Sequence, residues 1–272
     1  MLKAIQTLFS VTALAAMTFS ALPTQAEELT GRQIMDKVSD IHDRPYEFES
    51  QEMLLIDRQG GEEKREVRRY THDFGEGEKK YLVSFLAPQG VRGVALLTWQ
   101  HKVEEDEQFL YLPSQGKKMK RIAKSGKRNY FMGTDLTFED LISETRDKFD
   151  YKRQEDAERE GKPVYVIDAY PMDEKLKRST GYQYRRLFVQ KDISFIVETE
   201  YYDRRGRFIK RQLSQDLEDI GDGGLRAKTQ IIDNESKKHK TITTVYDRSF
   251  EKSLVDKKIF RQRYITSGKH VR

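Results

Sequence analysis

From Phe48 to Tyr246 this chain alternates apolar and polar residues with period two, in short runs broken by glycine and proline. That pattern restricts it to antiparallel sheet, because a strand exposes successive side chains on opposite faces while a helix needs a 3.6-residue repeat. The runs are Phe48–Asp57, Glu63–Phe74, Lys79–Leu86, Val94–Trp99, Phe149–Gln154, Val164–Tyr170, Gln183–Gln190, Phe195–Asp203, Phe208–Gln215, Leu225–Ile232 and Lys240–Tyr246. Arg58-Gln59-Gly60-Gly61, Glu160-Gly161-Lys162, Arg204-Arg205-Gly206 and Gly221-Asp222-Gly223-Gly224 supply the turns between them. About eleven strands or slightly more, with few helices, predict a sheet that curls on itself. Val94–Trp99 is apolar at both phases, so it should be covered on both faces. One helix precedes the strands: Thr30 and Gln33 form a capping box, Ile34, Val38 and Ile41 make one stripe, and Pro45 follows.

Hydrophobic residues make up 36% of the chain and charged ones 35%. A two-layer core normally asks for more apolar side chains, so a thin curved sheet with a wet outer face fits better. Residues 1–26 read as an export signal. Lys3 opens it, Leu8 to Leu22 is apolar and small, and Thr24-Gln25-Ala26 ends it with small residues. The apolar run is too short for a spanning helix. Its removal takes away one lysine and lowers the formal charge from +5 to +4. The chain has no cysteine, which excludes a lipid-modified N-terminus and a disulfide framework. The expectation is an exported, periplasmic, soluble monomer with a single β domain over residues 27–272.

Residues 107–141 carry the most specific pattern. An aromatic strand, Phe109 to Leu112, stops at Pro113, which cannot donate to a sheet ladder. A cationic strand, Lys117–Ile122, and a basic loop, Lys124 to Arg128, come next. Tyr130-Phe131-Met132-Gly133 is an apolar patch, and Thr137-Phe138-Glu139-Asp140 reads as a capping box opening a short helix with Leu141 on its apolar side.

This order resembles the outer-membrane lipoprotein-sorting protein family. The residues that carry it are Tyr111, Leu112, Pro113, Arg121 and Ile122, then Phe131-Met132-Gly133-Thr134-Asp135-Leu136-Thr137-Phe138-Glu139-Asp140-Leu141. Lysines around Arg121 replace the family's paired arginines, and the turn Ser114-Gln115-Gly116 is peculiar to this chain. The resemblance implies a LolA/LppX-like fold, mainly β: a strongly bent, incomplete antiparallel barrel with a few helices as lid. By that analogy the Thr30–His42 and Thr137–Ser143 segments are the lid. It also implies a periplasmic carrier of lipid or of lipoprotein acyl chains, serving an inner-membrane transporter of the resistance-nodulation-division (RND) type.

The residues themselves argue for holding rather than transforming. None of the five histidines (His42, His72, His101, His239, His270) lies in a close pair or an H-E-x-x-H arrangement, and no G-x-S-x-G elbow occurs. No catalytic residue, metal site or cofactor is therefore expected. Glu139 and Asp140 fit the first turn of a helix better than an acid/base pair. Candidate cavity-lining residues are Leu96, Trp99, Phe109, Tyr111, Phe131, Met132, Leu136, Phe138 and Leu141, which could shelter an acyl chain at about 0.8 kcal/mol per buried CH₂. Ordinary core packing is the competing reading for each, and strand register decides between them. Lys117, Lys118, Lys120, Arg121, Lys124, Lys127 and Arg128 are candidates for contact with anionic head groups or an acidic partner. The same surface could track nucleic acid, but export removes that substrate. The alternative to a carrier is an interaction module with a dry core, docking on a membrane transporter through this basic hairpin.

Overall fold

The computed structural model describes residues 28–272, so the signal-peptide expectation lies outside the described residues. Helix α1 (Gly31–His42) opens the fold with the expected capping box: the Thr30 side chain accepts the Gln33 amide and Gln33 returns the bond. Gly31 lets α1 lie flat on the sheet, since a Cβ there would sit 2.5 Å from the Tyr151 carbonyl oxygen.

Fourteen strands follow: β1 Tyr46–Ile56, β2 Glu62–Gly75, β3 Glu78–Ala87, β4 Ala95–Gln100, β5 Glu107–Tyr111, β6 Met119–Arg121, β7 Phe149–Arg153, β8 Ala157–Arg159, β9 Lys162–Pro171, β10 Tyr182–Gln190, β11 Phe195–Asp203, β12 Phe208–Asp219, β13 Leu225–Asn234 and β14 His239–Ser249. They form one antiparallel sheet in the order β6-β5-β4-β3-β2-β1-β14-β13-β12-β11-β10-β9-β7, with β8 paired to β9. The first and last strands, β1 and β14, pair at its middle and join two meanders. The sheet does not close. Register shifts leave Leu86, Val197, Ile209 and Tyr246 without a cross-strand partner. Such bulges bend a strand and increase its twist, which is how so long a sheet curls into a trough.

Two layers cover the sheet. On the concave side lie α1 and the irregular strap from Ile122 to Lys148. On the convex side, over β1–β5, lies the C-terminal segment, with single 3₁₀ turns at Lys252–Val255 and Lys257–Phe260 and helix α3 (Gln262–Thr266). The doubly apolar run is covered on both faces as its pattern predicts. Leu96 packs into the concave cluster, whereas Ala95, Leu97 and Trp99 pack under Val255, Phe260 and Ile265.

Two sequence expectations need correction. Thr137–Ser143 is not a helix. Its capping-box bonds form, from the Asp140 amide to Thr137 Oγ1 (3.2 Å) and from the Thr137 amide to Asp140 Oδ2 (2.7 Å). They close only one 3₁₀ turn, Glu139–Leu141, after which Ile142 is extended. A nucleus this short propagates only with further turns to add bonds, and Asp140 is committed to partners across the trough. Conversely, helix α2 (Glu174–Thr180) was not anticipated, although Asp173 caps its start and Gly181, at φ 81°, ends it.

A graded concave trough as the candidate functional site

Strand β1 sets the chemistry of the trough, because its odd-numbered residues all face inward. Glu47, Glu49 and Gln51 line one end, and Met53 and Leu55 line the other. The β1–β2 register is unbroken through this stretch, so the change from charged to apolar occurs on one continuous face.

The polar end holds a cavity of about 770 Å³ roofed by α1. Its charges neutralise one another: Arg248 Nη2 donates to Glu49 Oε1 at 2.9 Å and Arg226 Nε to Glu47 Oε1 at 2.9 Å. Gln51 Nε2 donates to Glu49 Oε2 at 2.8 Å, and Arg69 stands 3.7 Å from the same carboxylate. Buried ions need this degree of pairing to offset lost hydration. His42 closes one rim. Its Nε2 donates to the Ser194 carbonyl and its Nδ1 accepts the Leu225 amide, each at 3.0 Å. Burial lowers its pKa below the ordinary imidazole value, against the raising effect of the Ser194 carbonyl.

The apolar end is filled. Met53, Leu55, Val67, Val83, Phe85, Val94 and Leu96 from the sheet pack against Phe131 and Phe138 of the strap, with Met132, Leu136 and Leu141 alongside. Phe131 meets Phe85 at 5.5 Å and Phe138 at 5.4 Å between ring centroids, in the offset range that aromatic pairs favour.

Polar bonds at named points fasten the strap. Arg65 Nη1 donates to the Met132 carbonyl at 2.5 Å, and Gln108 Nε2 to the Phe138 carbonyl at 2.8 Å. Lys210, fully buried on β12, donates to Asp140 Oδ2 at 2.6 Å and to the Asp135 carbonyl at 2.7 Å. The rings of Tyr201, Tyr130 and Tyr182 surround it at 4.7, 5.4 and 5.7 Å. Asp135 Oδ2 accepts from Thr241 Oγ1 at 2.8 Å and lies 2.5 Å from His239 Nδ1, while its Oδ1 accepts from Asn234 at 3.0 Å. Tyr182 donates its hydroxyl to Asp140 at 2.9 Å. Met132 holds φ 48°, a left-handed conformation costing about 1–2 kcal/mol that persists where its surroundings over-determine it. The two aspartates of the FMGTDLTFEDL string are thus a clasp tying the strap to β12, β13 and β14.

The nine candidate lining residues divide between the two faces of the sheet. Leu96, Phe131, Met132, Leu136, Phe138 and Leu141 meet on the concave side, whereas Trp99, Phe109 and Tyr111 pack beneath the C-terminal segment on the convex side. None of the nine lines the polar cavity. Trp99 Nε1 donates to the Phe260 carbonyl at 3.2 Å, so the single tryptophan looks away from the trough. Register separates them: Leu96 and Leu97 are neighbours in sequence and point to opposite faces.

The seven basic candidates also separate. Lys117, Lys118, Lys120 and Arg128 are exposed, Arg121 pairs with Glu107 at 2.9 Å, and Lys124 pairs with Glu105. Lys127 is buried, and its ammonium donates to the Asp106 carbonyl at 2.7 Å, so it offers no charge to a partner surface. Sequence reasoning missed Lys210, His239, Asn234 and Tyr182, whose only signal is a polar residue at an inward strand phase. It also missed the Glu47, Glu49, Arg226 and Arg248 network.

An unclosed antiparallel sheet, bent into a trough with a helix and a strap across its concave face, is the architecture of the LolA-like fold, and comparison with known proteins agrees. A family model described only as an uncharacterized-protein family matches residues 77–267, well over half of the chain. A domain assigned as an outer membrane lipoprotein-sorting protein from Vibrio parahaemolyticus superposes with a TM-score of 0.81 at 25% identity, over 87% of this chain and 98% of its own. A DUF1329 family protein from Desulfovibrio piger gives 0.75 at 22% identity, over 83% and 98%. A LolA superfamily protein from Nitrosomonas europaea gives 0.69 at 16% identity, over 87% and 100%. No curated protein matches the chain. The chain belongs to the family of that model, and its fold is the LolA-like fold of the structures it resembles. Among the described residues, no helix is long and apolar enough to cross a membrane.

Proposed function

We propose that this protein is a periplasmic carrier or accessory protein of outer-membrane lipid or lipoprotein trafficking, exported by a cleaved signal at residues 1–26 and working as a single domain over 27–272. Its ligand is an amphiphile. The acyl chains take the place of the strap against Met53, Val67, Phe85 and Leu96, and the head group enters the charged cavity beside Glu49 and Arg248. The observation that carries this reading is the gradient along β1, from Glu47 and Glu49 to Met53 and Leu55 on one face. A protein that only needed a core would have no reason to join a charged cavity to an apolar bed. An inner-membrane transporter of RND type is the proposed partner that loads or unloads it.

The chain contains no cysteine, so a single engineered pair can test strap movement without background. Thr241 Oγ1 meets both the amide and the carboxylate of Asp135, at 3.0 and 2.8 Å, so Asp135→Cys with Thr241→Cys sets a cysteine pair across this contact for oxidative closure. Oxidised, this variant should take up no phospholipid in native mass spectrometry; reduced, it should regain uptake. Equal uptake in both states would remove displacement of the strap as the way in, and no uptake by the reduced variant and the unmodified protein alike would remove the carrier reading.

A second reading keeps the strap closed and places function on the edge strand β6. Lys117, Lys118 and Lys120 are exposed there and form no ion pair among the described residues. Charge reversal of Lys118, Lys120 and Arg121 should then abolish capture of a membrane transporter while leaving lipid uptake untouched.

A further inference from the structure

A second concavity lies outside the trough, at the end where α2, the β11–β12 turn and the basic loop meet. It measures about 770 Å³, and its lining includes Arg128, Lys177, Arg178, Arg204, Arg205 and Arg207. Only two carboxylates line it. Asp203 already accepts from Arg207 at 2.6 Å, and Glu174 from Lys177 at 3.4 Å. Arg128, Arg178, Arg204 and Arg205 form no ion pair among the described residues. Most arginines of the sheet itself are matched to acids, among them Arg65 to Glu63, Arg153 to Asp156, Arg159 to Glu198 and Arg186 to Asp168; Arg68 and Arg211 stand singly, not in a cluster.

The convergence is built by the fold. The four unmatched arginines come from three segments far apart in sequence. Gly181 seats the basic loop against the end of α2: at φ 81° it takes a backbone form that side chains rarely adopt, and a Cβ there would press on Arg128 Cβ at 3.0 Å. The β11–β12 turn is held by Asp203, whose Oδ1 accepts the amides of Arg205 and Arg207 at 2.8 and 3.0 Å, and this fixes Arg204 and Arg205 at the mouth. Gathering like charges without a counter-charge is unfavourable, and the residue type is informative. Guanidinium groups present a planar fork that matches phosphate oxygens two at a time, which an ammonium cannot do. Tyr130 and Thr137 on the wall add hydroxyl groups.

We propose that this groove binds a phosphate group, carried either by a lipid head group or by a soluble phosphate ester. The site is separate from the trough, and its occupation does not depend on whether acyl chains displace the strap.

Calorimetric titration with glycerol phosphate, and co-sedimentation with phosphatidylcholine vesicles with and without phosphatidylglycerol, provide the test. Saturable binding that weakens with added salt is expected in at least one arm. Binding of glycerol phosphate assigns a soluble ester, and binding only to vesicles containing phosphatidylglycerol assigns a head group. Arg204→Gln with Arg205→Gln, and Arg178→Gln separately, should each weaken binding about tenfold or more, the loss expected when a charged hydrogen-bond partner is removed. These side chains are exposed, so an unchanged urea midpoint will show that the variants remain folded. Lys64→Gln with Lys228→Gln, exposed on strands away from the groove, should bind as the unmodified protein does. Absence of binding in both arms overturns the proposal. So does an equal loss from this control variant, or a preference for polyglutamate over both phosphate forms.

Discussion

Lys210→Met removes the one cation that ties the strap to β12. The side chain is fully buried, and its ammonium serves two acceptors, Asp140 Oδ2 at 2.6 Å and the Asp135 carbonyl at 2.7 Å. Methionine fills a similar volume, so the loss is electrostatic. It leaves the Asp140 carboxylate buried with only the Tyr182 hydroxyl and the Thr137 amide as donors. Breaking a buried pair by removing one partner costs about 3–5 kcal/mol. Against a total stability of about 5–15 kcal/mol, that is a large fraction. With a urea slope of about 3 kcal/mol per M, at the upper end for small proteins, the midpoint should fall by about 1–1.7 M. The double variant Lys210→Met with Asp140→Leu removes both charges. It should be less destabilised than the sum of the single changes by about 2 kcal/mol. Limited proteolysis supplies a local readout: cleavage after Lys124, Lys127 or Arg128 should accelerate in Lys210→Met before global unfolding. A midpoint shift worth less than about 1 kcal/mol, the scale of an exposed pair, would refute the clasp, as would additivity within about 0.5 kcal/mol.

Three further outcomes are expected. Phe138→Ala should cost about 3–4 kcal/mol, because the ring is buried between Phe131 and the sheet, whereas Phe138→Leu should cost less than about 1.5 kcal/mol; paired thermal melts will separate them. Gly31→Ala should lift α1 from β7, given the 2.5 Å approach to the Tyr151 carbonyl oxygen, and should destabilise by about 1–3 kcal/mol, measurable by urea titration. Because burial lowers the His42 pKa, its contribution to stability is present above the ordinary imidazole value of about 6.5 and is lost as pH falls through the lowered value. His42→Gln should therefore flatten the urea midpoint below about pH 6.5, leaving the residual slope from His270, which burial also lowers.

Period two from Phe48 onward was enough to specify the antiparallel sheet, because alternation of side chains is a local property of an extended backbone. The same holds for α1, whose capping box and stripe lie within a dozen residues, and for the Arg58–Gly61 hairpin, where Asp57 accepts the Gln59 and Gly61 amides. The double coverage of Val94–Trp99 was also legible, since a strand apolar at both phases has no wet side. Which face each residue reached was not. Leu96 and Trp99 stood together as candidates and lie on opposite sides, because register depends on pairing with β3 and β5 rather than on local composition. The string Thr137–Asp140 carried a true capping signal, yet its helix did not form. Asp140 spends its carboxylate on Lys210, 70 residues away, and no local rule anticipates a partner at that separation. The charged cavity, which joins Glu47 and Glu49 to Arg226 and Arg248, and the arginine groove share this origin. Each is assembled from segments distant in sequence, and only the tertiary fold brings them to one surface.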